Sequence, residues 1–223
     1  DHTRVKMEKI AGDPHSDFIN ANYINGYSKK KAYIAAQGAT AVTKNDFVRM
    51  IWGQKCDKVI MLTNLFEMGK HKCEKYWPED KSEMFGDLYL TVEDESVRAN
   101  YTIRTISISK IKLHVQSSKI NFQDTSKHRF YQYHYTSWPD HDVPEVNDLL
   151  DFLYTVNKRP PHSDRPNIIH CSAGVGRTGT YIAVDICLQD CKKTGNVDVI
   201  KCIKELRDQR KGMVQTSVSF LSF

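Results

Sequence analysis

Short apolar runs and longer amphipathic stretches alternate along this chain. Ala32 to Gln37 reads as a strand, and Val59 to Leu62 as a short buried one. Leu88–Val92, Tyr101–Ser109 and Arg129–Tyr135 alternate between apolar and polar residues, as antiparallel strands do. Thr43 is placed to cap a helix running to about Gln54. Val146 to Asn157 carries apolar residues at 146, 149, 150, 153 and 156, one face of a helix. Asn167 to His170 is a further strand, and a helix-like segment spans Tyr181 to Lys192. Asp198 to Arg210 predicts a last helix, with Val199, Ile203 and Leu206 inward. Strands and helices in this order imply one α/β domain over residues 1–223, a mixed sheet with helices on both sides.

Between the strand ending at His170 and the helix after it lies Cys171-Ser172-Ala173-Gly174-Val175-Gly176-Arg177-Thr178-Gly179. A glycine-rich turn entering a helix points successive backbone N–H groups at one spot and forms an anion-binding nest. A thiolate at its mouth is stabilised by the same field and becomes a nucleophile. The planar fork of Arg177 matches two phosphate oxygens. Nucleophile and phosphate cradle in one segment point to cysteine-dependent phosphoryl transfer. Gly174, Gly176 and Gly179 also satisfy the dinucleotide fingerprint G-x-G-x-x-G, but too little chain follows for two βαβ halves. Thr180 stands where a P-loop needs lysine. A merely structural turn with an incidental buried cysteine leaves Arg177 unexplained.

Composition adds little. The chain is 40% hydrophobic and 26% charged, ordinary for a globular domain. No apolar run approaches the ~18 residues of a membrane span. A net charge of +5 suits an anionic substrate. The basic residues form only short groups such as Lys29-Lys30-Lys31, so nucleic acid is not an expected partner. The cysteines, at 56, 73, 171, 187, 191 and 202, show no disulfide spacing. Cys187 and Cys191 share a helix face, but two thiols make a poor metal site, and core packing is the expected role. No metal and no cofactor is expected. A nucleophilic thiol persists in a reducing compartment, which favours the cytosol or the cytosolic face of a membrane receptor.

The loop resembles the signature of the cysteine-dependent protein tyrosine phosphatases, H-C-x-x-G-x-x-R-[ST]-G, matched by His170, Cys171, Gly174, Arg177, Thr178 and Gly179. The resemblance runs over nearly the whole chain. Phe18 to Tyr27, Ala36-Gln37-Gly38, Lys72-Cys73, Tyr76-Trp77-Pro78, Trp138-Pro139-Asp140 and Met213-Val214-Gln215-Thr216 follow in the family's order. Asp1 to Val5 and His170 to Gly179 are most similar to receptor-type members.

This resemblance implies a highly twisted mixed sheet flanked by helices and hydrolysis of protein phosphotyrosine through a cysteinyl-phosphate. It casts Cys171 as nucleophile and Asp140 as general acid in a mobile loop. Gln215 orients water, and the Thr178 hydroxyl stabilises the departing thiolate. Ser172, Ala173, Gly174, Val175, Gly176 and Arg177 bind the phosphoryl oxygens. Glu67 braces Arg177, Lys72 lies near the acid loop, and Tyr76 hydrogen-bonds His170. Arg207 and Arg210 stand as supporting arginines.

The implied partners are phosphotyrosine proteins, with a membrane reached only through a transmembrane segment upstream. Both ends read as cut, and the family's substrate-stacking tyrosine lies before Asp1. Four positions depart from the family pattern: Val48 for Trp, Ala39 for Pro, Asp142 for Gly, and Ser219 for a second glutamine. The alternative is a pseudo-phosphatase domain that binds phosphotyrosine or a partner without turnover.

Overall fold

The structure is a computed structural model that describes residues 2–116, 119–139, 142–160 and 163–215, with side chains outside 112–125. Its strands are β1 (Arg4–Lys6), β2 (Phe18–Ile24), β3 (Tyr33–Ala36), β4 (Lys58–Met61), β5 (Phe66–Glu67), β6 (Lys70–His71), β7 (Ser82–Phe85), β8 (Leu88–Val97), β9 (Tyr101–Gln116), β10 (Lys119–Tyr135) and β11 (Asn167–His170). Its helices are α1 (Lys44–Gln54), α2 (Val146–Lys158), α3 (Gly176–Thr194) and α4 (Val199–Gln209). Nine strands form one mixed sheet in the order β1-β2-β3-β11-β4-β10-β9-β8-β7, and β5 pairs with β6 separately. The mixed α/β architecture expected from the pattern is the one observed.

The middle of the sheet is parallel. β11 pairs in parallel with β3 and β4, and β10 in parallel with β4. β3 and β4 are buried at every position, as strands covered on both faces must be. Their side chains alternate between two cores. Ile34, Ala36, Val59, Met61 and Ile168 face a cluster with Phe47, Val48, Met50 and Ile51 of α1. Tyr33, Ala35, Ile60 and Ile169 face the opposite cluster, with Leu149, Phe152 and Val156 of α2, Tyr181 and Ile182 of α3 and Leu206 of α4. A one-residue slip in any central strand would exchange these sets, so the register is strongly fixed.

The register also aligns the strand ends. Ala36, His170 and Met61 lie side by side, and His134 pairs with Met61 from β10. The connections leaving these four parallel strands therefore emerge at one edge of the sheet. Open α/β sheets bind ligands at the carboxyl ends of their strands.

The helix termini are explained locally. Lys58 is buried, and its Nζ donates to the carbonyls of Val156 at 2.7 Å and Arg159 at 2.5 Å, which closes the end of α2. Gly195 ends α3 in the left-handed region, and its N–H donates to Cys191 O. The Asp198 carboxylate accepts from Lys201 N at 2.9 Å and starts α4.

Several expectations need correction. Thr43 does precede α1, but its hydroxyl accepts from Thr40 N at 3.0 Å and makes no cap bond to the helix. In α4 the buried face is Cys202 and Leu206, with Ile203 packed only partly and Val199 half-exposed. β8, β9 and β10 run beyond the alternating stretches, because hairpin pairing carries the strands past the core.

Candidate active site

Cys171 follows β11 directly and is 5% exposed. The Gly174 N–H donates to its sulfur at 3.3 Å. The carbonyls of the next residues are all engaged. Ser172 O accepts from Gly38 N at 2.9 Å. Ala173 O and Gly174 O accept from Arg210 at 3.2 and 2.8 Å. Val175 O accepts from Gly179 N at 3.0 Å and Val214 N at 3.1 Å. With these acceptors satisfied elsewhere, the loop's carbonyls do not oppose an anion beside Cys171, whose sulfur takes the Gly174 N–H.

Two glycines permit this packing. Gly174 has φ +72°, and a Cβ there would sit 2.1 Å from the Ala36 carbonyl oxygen. At Gly179 a Cβ would sit 2.4 Å from Val214 N. One lets the loop press on the end of β3; the other lets the 213–215 segment lie against α3.

Arg177 opens α3 and turns back over the site. Its two terminal nitrogens meet the two Glu67 oxygens at 2.6 and 2.8 Å, a bidentate pair. The first also donates to Leu62 O at 3.2 Å, the second to Pro139 O at 3.3 Å. The Trp138 ring centroid is 6.0 Å from the guanidinium carbon, at the outer limit of a cation–π contact. Glu67 is itself held by the Thr63 hydroxyl at 3.1 Å and Asn64 N at 3.0 Å. Lys72 Nζ lies 3.9 Å from its carboxylate. So β4, the 62–67 turn, the Trp138-Pro139 segment and α3 converge on one guanidinium.

Beneath the loop, His170 Nε2 and the Tyr76 hydroxyl are 2.8 Å apart. His170 Nδ1 lies 3.2 Å from Cys171 O, which only accepts, so Nδ1 carries the proton and Nε2 accepts from Tyr76. Burial drives the His170 pKa down to about 3, so the ring is neutral. Burial likewise pushes the Tyr76 hydroxyl well above its ordinary value. Phe47 packs on both rings.

Arg207 and Arg210 are more than surface charges. Besides the loop carbonyls, Arg210 reaches Asn22 Oδ1 at 2.6 Å. Arg207 donates to Met213 O and Val214 O, both at 2.9 Å. Val214 takes the left-handed region at φ 55°, unusual for a β-branched residue. Gln215 follows, its Oε1 3.4 Å from where a Cβ on Gly176 would stand. The Thr178 hydroxyl is fully buried and has no hydrogen-bond partner among the described residues. Asp140, Thr216 and Ser219 lie outside the described residues. Asp142, one of the departures, is engaged locally: its carboxylate accepts from Val143 N at 2.8 Å, and its carbonyl accepts from Trp138 Nε1 at 3.1 Å.

Cys171, Arg177, Glu67, Lys72, Tyr76, His170 and Gln215, scattered in sequence, thus share one region. Sequence reasoning assigned no role to Asn22, Gly38 or His134. His134 Nε2 lies 2.9 Å from Thr63 O, supporting the turn that presents Glu67, and burial lowers its pKa to about 4. No periodicity marks such a contact, since its partner is 71 positions away. Among the described residues, no His, Cys, Asp and Glu cluster suits a metal ion.

A strand, a cysteine loop, a braced arginine and a supporting histidine–tyrosine pair at the edge of a mixed sheet define a phosphoryl-transfer architecture. The family model described as protein-tyrosine phosphatase matches residues 1–223, and the chain belongs to that family. It is 40% identical over 222 residues to receptor-type tyrosine-protein phosphatase U of Gallus gallus, covering 99% of this chain and 15% of that relative. It is 42% identical over 224 residues to receptor-type tyrosine-protein phosphatase zeta of Homo sapiens, covering 99% of this chain and 10% of that relative. The chain therefore spans a small part of the curated relatives it matches.

Proposed function

We propose that this domain hydrolyses protein phosphotyrosine in two steps. The observation that carries the proposal is the loop from Ser172 to Val175, its carbonyls engaged outward, with Cys171 at its mouth and Arg177 locked onto Glu67. Cys171 attacks phosphorus, and the bond to the tyrosyl oxygen breaks. The N–H groups from Ser172 to Arg177 and the Arg177 guanidinium hold the phosphoryl oxygens, mostly by preorganised electrostatics. Asp140 gives its proton to the leaving phenolate, whose conjugate acid has a pKa of ~10. Pro139, immediately before it, already has its carbonyl against Arg177. Water oriented by Gln215 then attacks phosphorus, Asp140 takes its proton, and the sulfur–phosphorus bond breaks. The Thr178 hydroxyl is available to donate to the departing thiolate, which would give that buried group a partner.

As part of a receptor-type protein, the domain would act on the cytosolic face of a membrane, opposing tyrosine kinases. Among the described residues no helix is long and apolar enough to cross a membrane. The second reading, phosphotyrosine binding without turnover, draws on Asp142 and Ser219, where the chain departs from the family pattern. Rapid acid quench during turnover of a phosphotyrosine peptide separates the two. A phosphorylated Cys171 peptide with release of phosphate supports hydrolysis. Tight peptide binding without either supports the second reading.

A further inference from the structure

Residues 136–139 form the stalk that leads from β10 to Asp140, and two asparagines grip it from opposite sides. Thr136 N donates to Asn100 O at 2.9 Å, and the Ser137 hydroxyl donates to Asn100 Oδ1 at 3.0 Å. Asn64 Nδ2 donates to Thr136 O at 3.1 Å. A carbonyl only accepts, so the nitrogen of the Asn64 amide is the atom that faces it. At the same junction His134 Nε2 donates to Thr63 O at 2.9 Å.

Asn64 also belongs to the arginine brace. Its backbone N–H donates to Glu67 Oε1 at 3.0 Å, the same oxygen that Arg177 meets at 2.6 Å. Arg177 in turn donates to Pro139 O at 3.3 Å. These bonds close a ring. It runs from Asn64 to Glu67, Arg177 and Pro139, then back along the stalk to Thr136 and Asn64. The backbone of Asn64 thus serves the phosphate-binding arginine, and its side chain serves the stalk of the acid loop.

We propose that Asn64 is a positioning residue for proton transfer, its amide setting the acid-loop stalk in register with the Arg177–Glu67 pair. The proposal rests on the reading of Asp140 as general acid. An acid must come within about 2.6–3.2 Å of the leaving oxygen. Arg177 fixes the phosphoryl group, so whatever joins Arg177 to the stalk fixes the approach of the acid. The direct tether, Arg177 to Pro139, is long for a charge-assisted bond, and the same nitrogen also serves Glu67 Oε2. A phosphoryl group engaging the guanidinium competes for that nitrogen as well. The Asn64 amide uses no group that binds phosphate, so its tether persists with substrate in place. Misplacing a reacting group by ~1 Å costs ~10²-fold in rate.

The test uses the full 223-residue chain. Asn64→Leu keeps the volume and removes the donor; Asn64→Gln keeps an amide. kcat/KM is measured for a phosphotyrosine peptide and for p-nitrophenyl phosphate. Asn64→Leu should lower it about tenfold for the peptide. The loss should be less than about twofold for p-nitrophenyl phosphate, whose oxyanion leaves without a proton. Phosphate protection of Cys171 from alkylation should be unchanged, because Glu67 still holds Arg177 by two bonds. Asn64→Gln should recover part of the loss. In an Asp140→Asn background, Asn64→Leu should cost nothing more, since the proton donor is already gone. Asn64→Ala repeats each comparison if the leucine variant does not fold. An equal loss for both substrates would make Asn64 a structural residue of its turn and overturn the proposal. Losses that multiply with Asp140→Asn would do the same. If Asp140→Asn is selective for the poor leaving group and Asn64→Leu is not, this proposal alone fails. If Asp140→Asn shows no such selectivity, the acid reading fails and takes the proposal with it.

Discussion

Arg177 and Glu67, 110 positions apart in sequence, meet through two parallel hydrogen bonds of 2.6 and 2.8 Å. Glu67 is 8% exposed, and two further donors, from Thr63 and Asn64, hold one of its carboxylate oxygens. The guanidinium is therefore oriented before any ligand arrives. Glu67→Ala removes the brace and leaves the cation partly buried and misoriented, a change that typically costs about 3 kcal/mol of stability. Affinity for inorganic phosphate should fall about tenfold, measured by protection of Cys171 from alkylation. An unchanged phosphate affinity would show that Arg177 needs no brace.

The thiols should react in a definite order. Burial pushes Cys56 up and raises Cys73 to about 12, so neither is a thiolate near neutral pH. Cys171 instead receives the Gly174 N–H. Iodoacetate should label Cys171 faster than the other five cysteines, and phosphate should slow that reaction alone. Cys171→Ser should abolish turnover and leave the melting temperature nearly unchanged. Activity at the per cent level in the serine variant would remove Cys171 from the nucleophile's role.

The central strands were legible because Val59 to Leu62 and Asn167 to His170 are brief apolar runs that only burial explains. β5 and β6 were not, since two residues each, Phe66-Glu67 and Lys70-His71, carry no period. Within the site, the contiguous loop was readable as chemistry from its own residues. Glu67, Tyr76 and Gln215 were placed only through resemblance, because each meets its partner over a long sequence separation. The grip of Arg210 on two loop carbonyls left no trace in local sequence.

Stability should weaken on acidification through two buried histidines. His170 and His134 are held neutral, with pKa values lowered from 6.5 to about 3 and about 4. The unfolded chain takes up these protons below pH ~6.5, and the folded chain takes them up only near the lowered values. Their neutral burial is therefore unpenalised above pH ~6.5, and stability is lost as pH falls from there toward 4 and then 3. The loss should reach a few kcal/mol. A His134→Gln variant should show a shallower fall of melting temperature between pH 6.5 and 4.5. Parallel pH profiles for variant and parent would place the acid sensitivity elsewhere.

The acid assignment is testable by leaving group. Asp140→Asn should lower turnover of phosphotyrosine by roughly 10²–10⁴, the usual range for loss of a general acid. The loss should shrink for aryl phosphates whose phenols are already acidic, because their oxyanions leave without a proton. An equal loss across leaving groups would assign Asp140 a structural role.

The last prediction separates the two chemical steps. Gly179 lies against the backbone of Val214, with room for no side chain, since a Cβ there would stand 2.4 Å from Val214 N. Val214 is also pinned by Val175 O and by Arg207, and it leads directly into Gln215. Gly179→Ala must therefore push the 213–215 segment outward. Cys171 and Arg177 are held by other partners, Gly174 and Glu67. The displaced glutamine would orient water poorly, while attack by the cysteine keeps its groups. With an aryl phosphate, the pre-steady-state burst should persist and the steady rate after it should fall about tenfold or more. Arg207→Ala, which loosens the same segment without steric intrusion, should act in the same direction and more weakly. A burst lost in proportion to the steady rate would mean that the segment shapes the first step as much as the second.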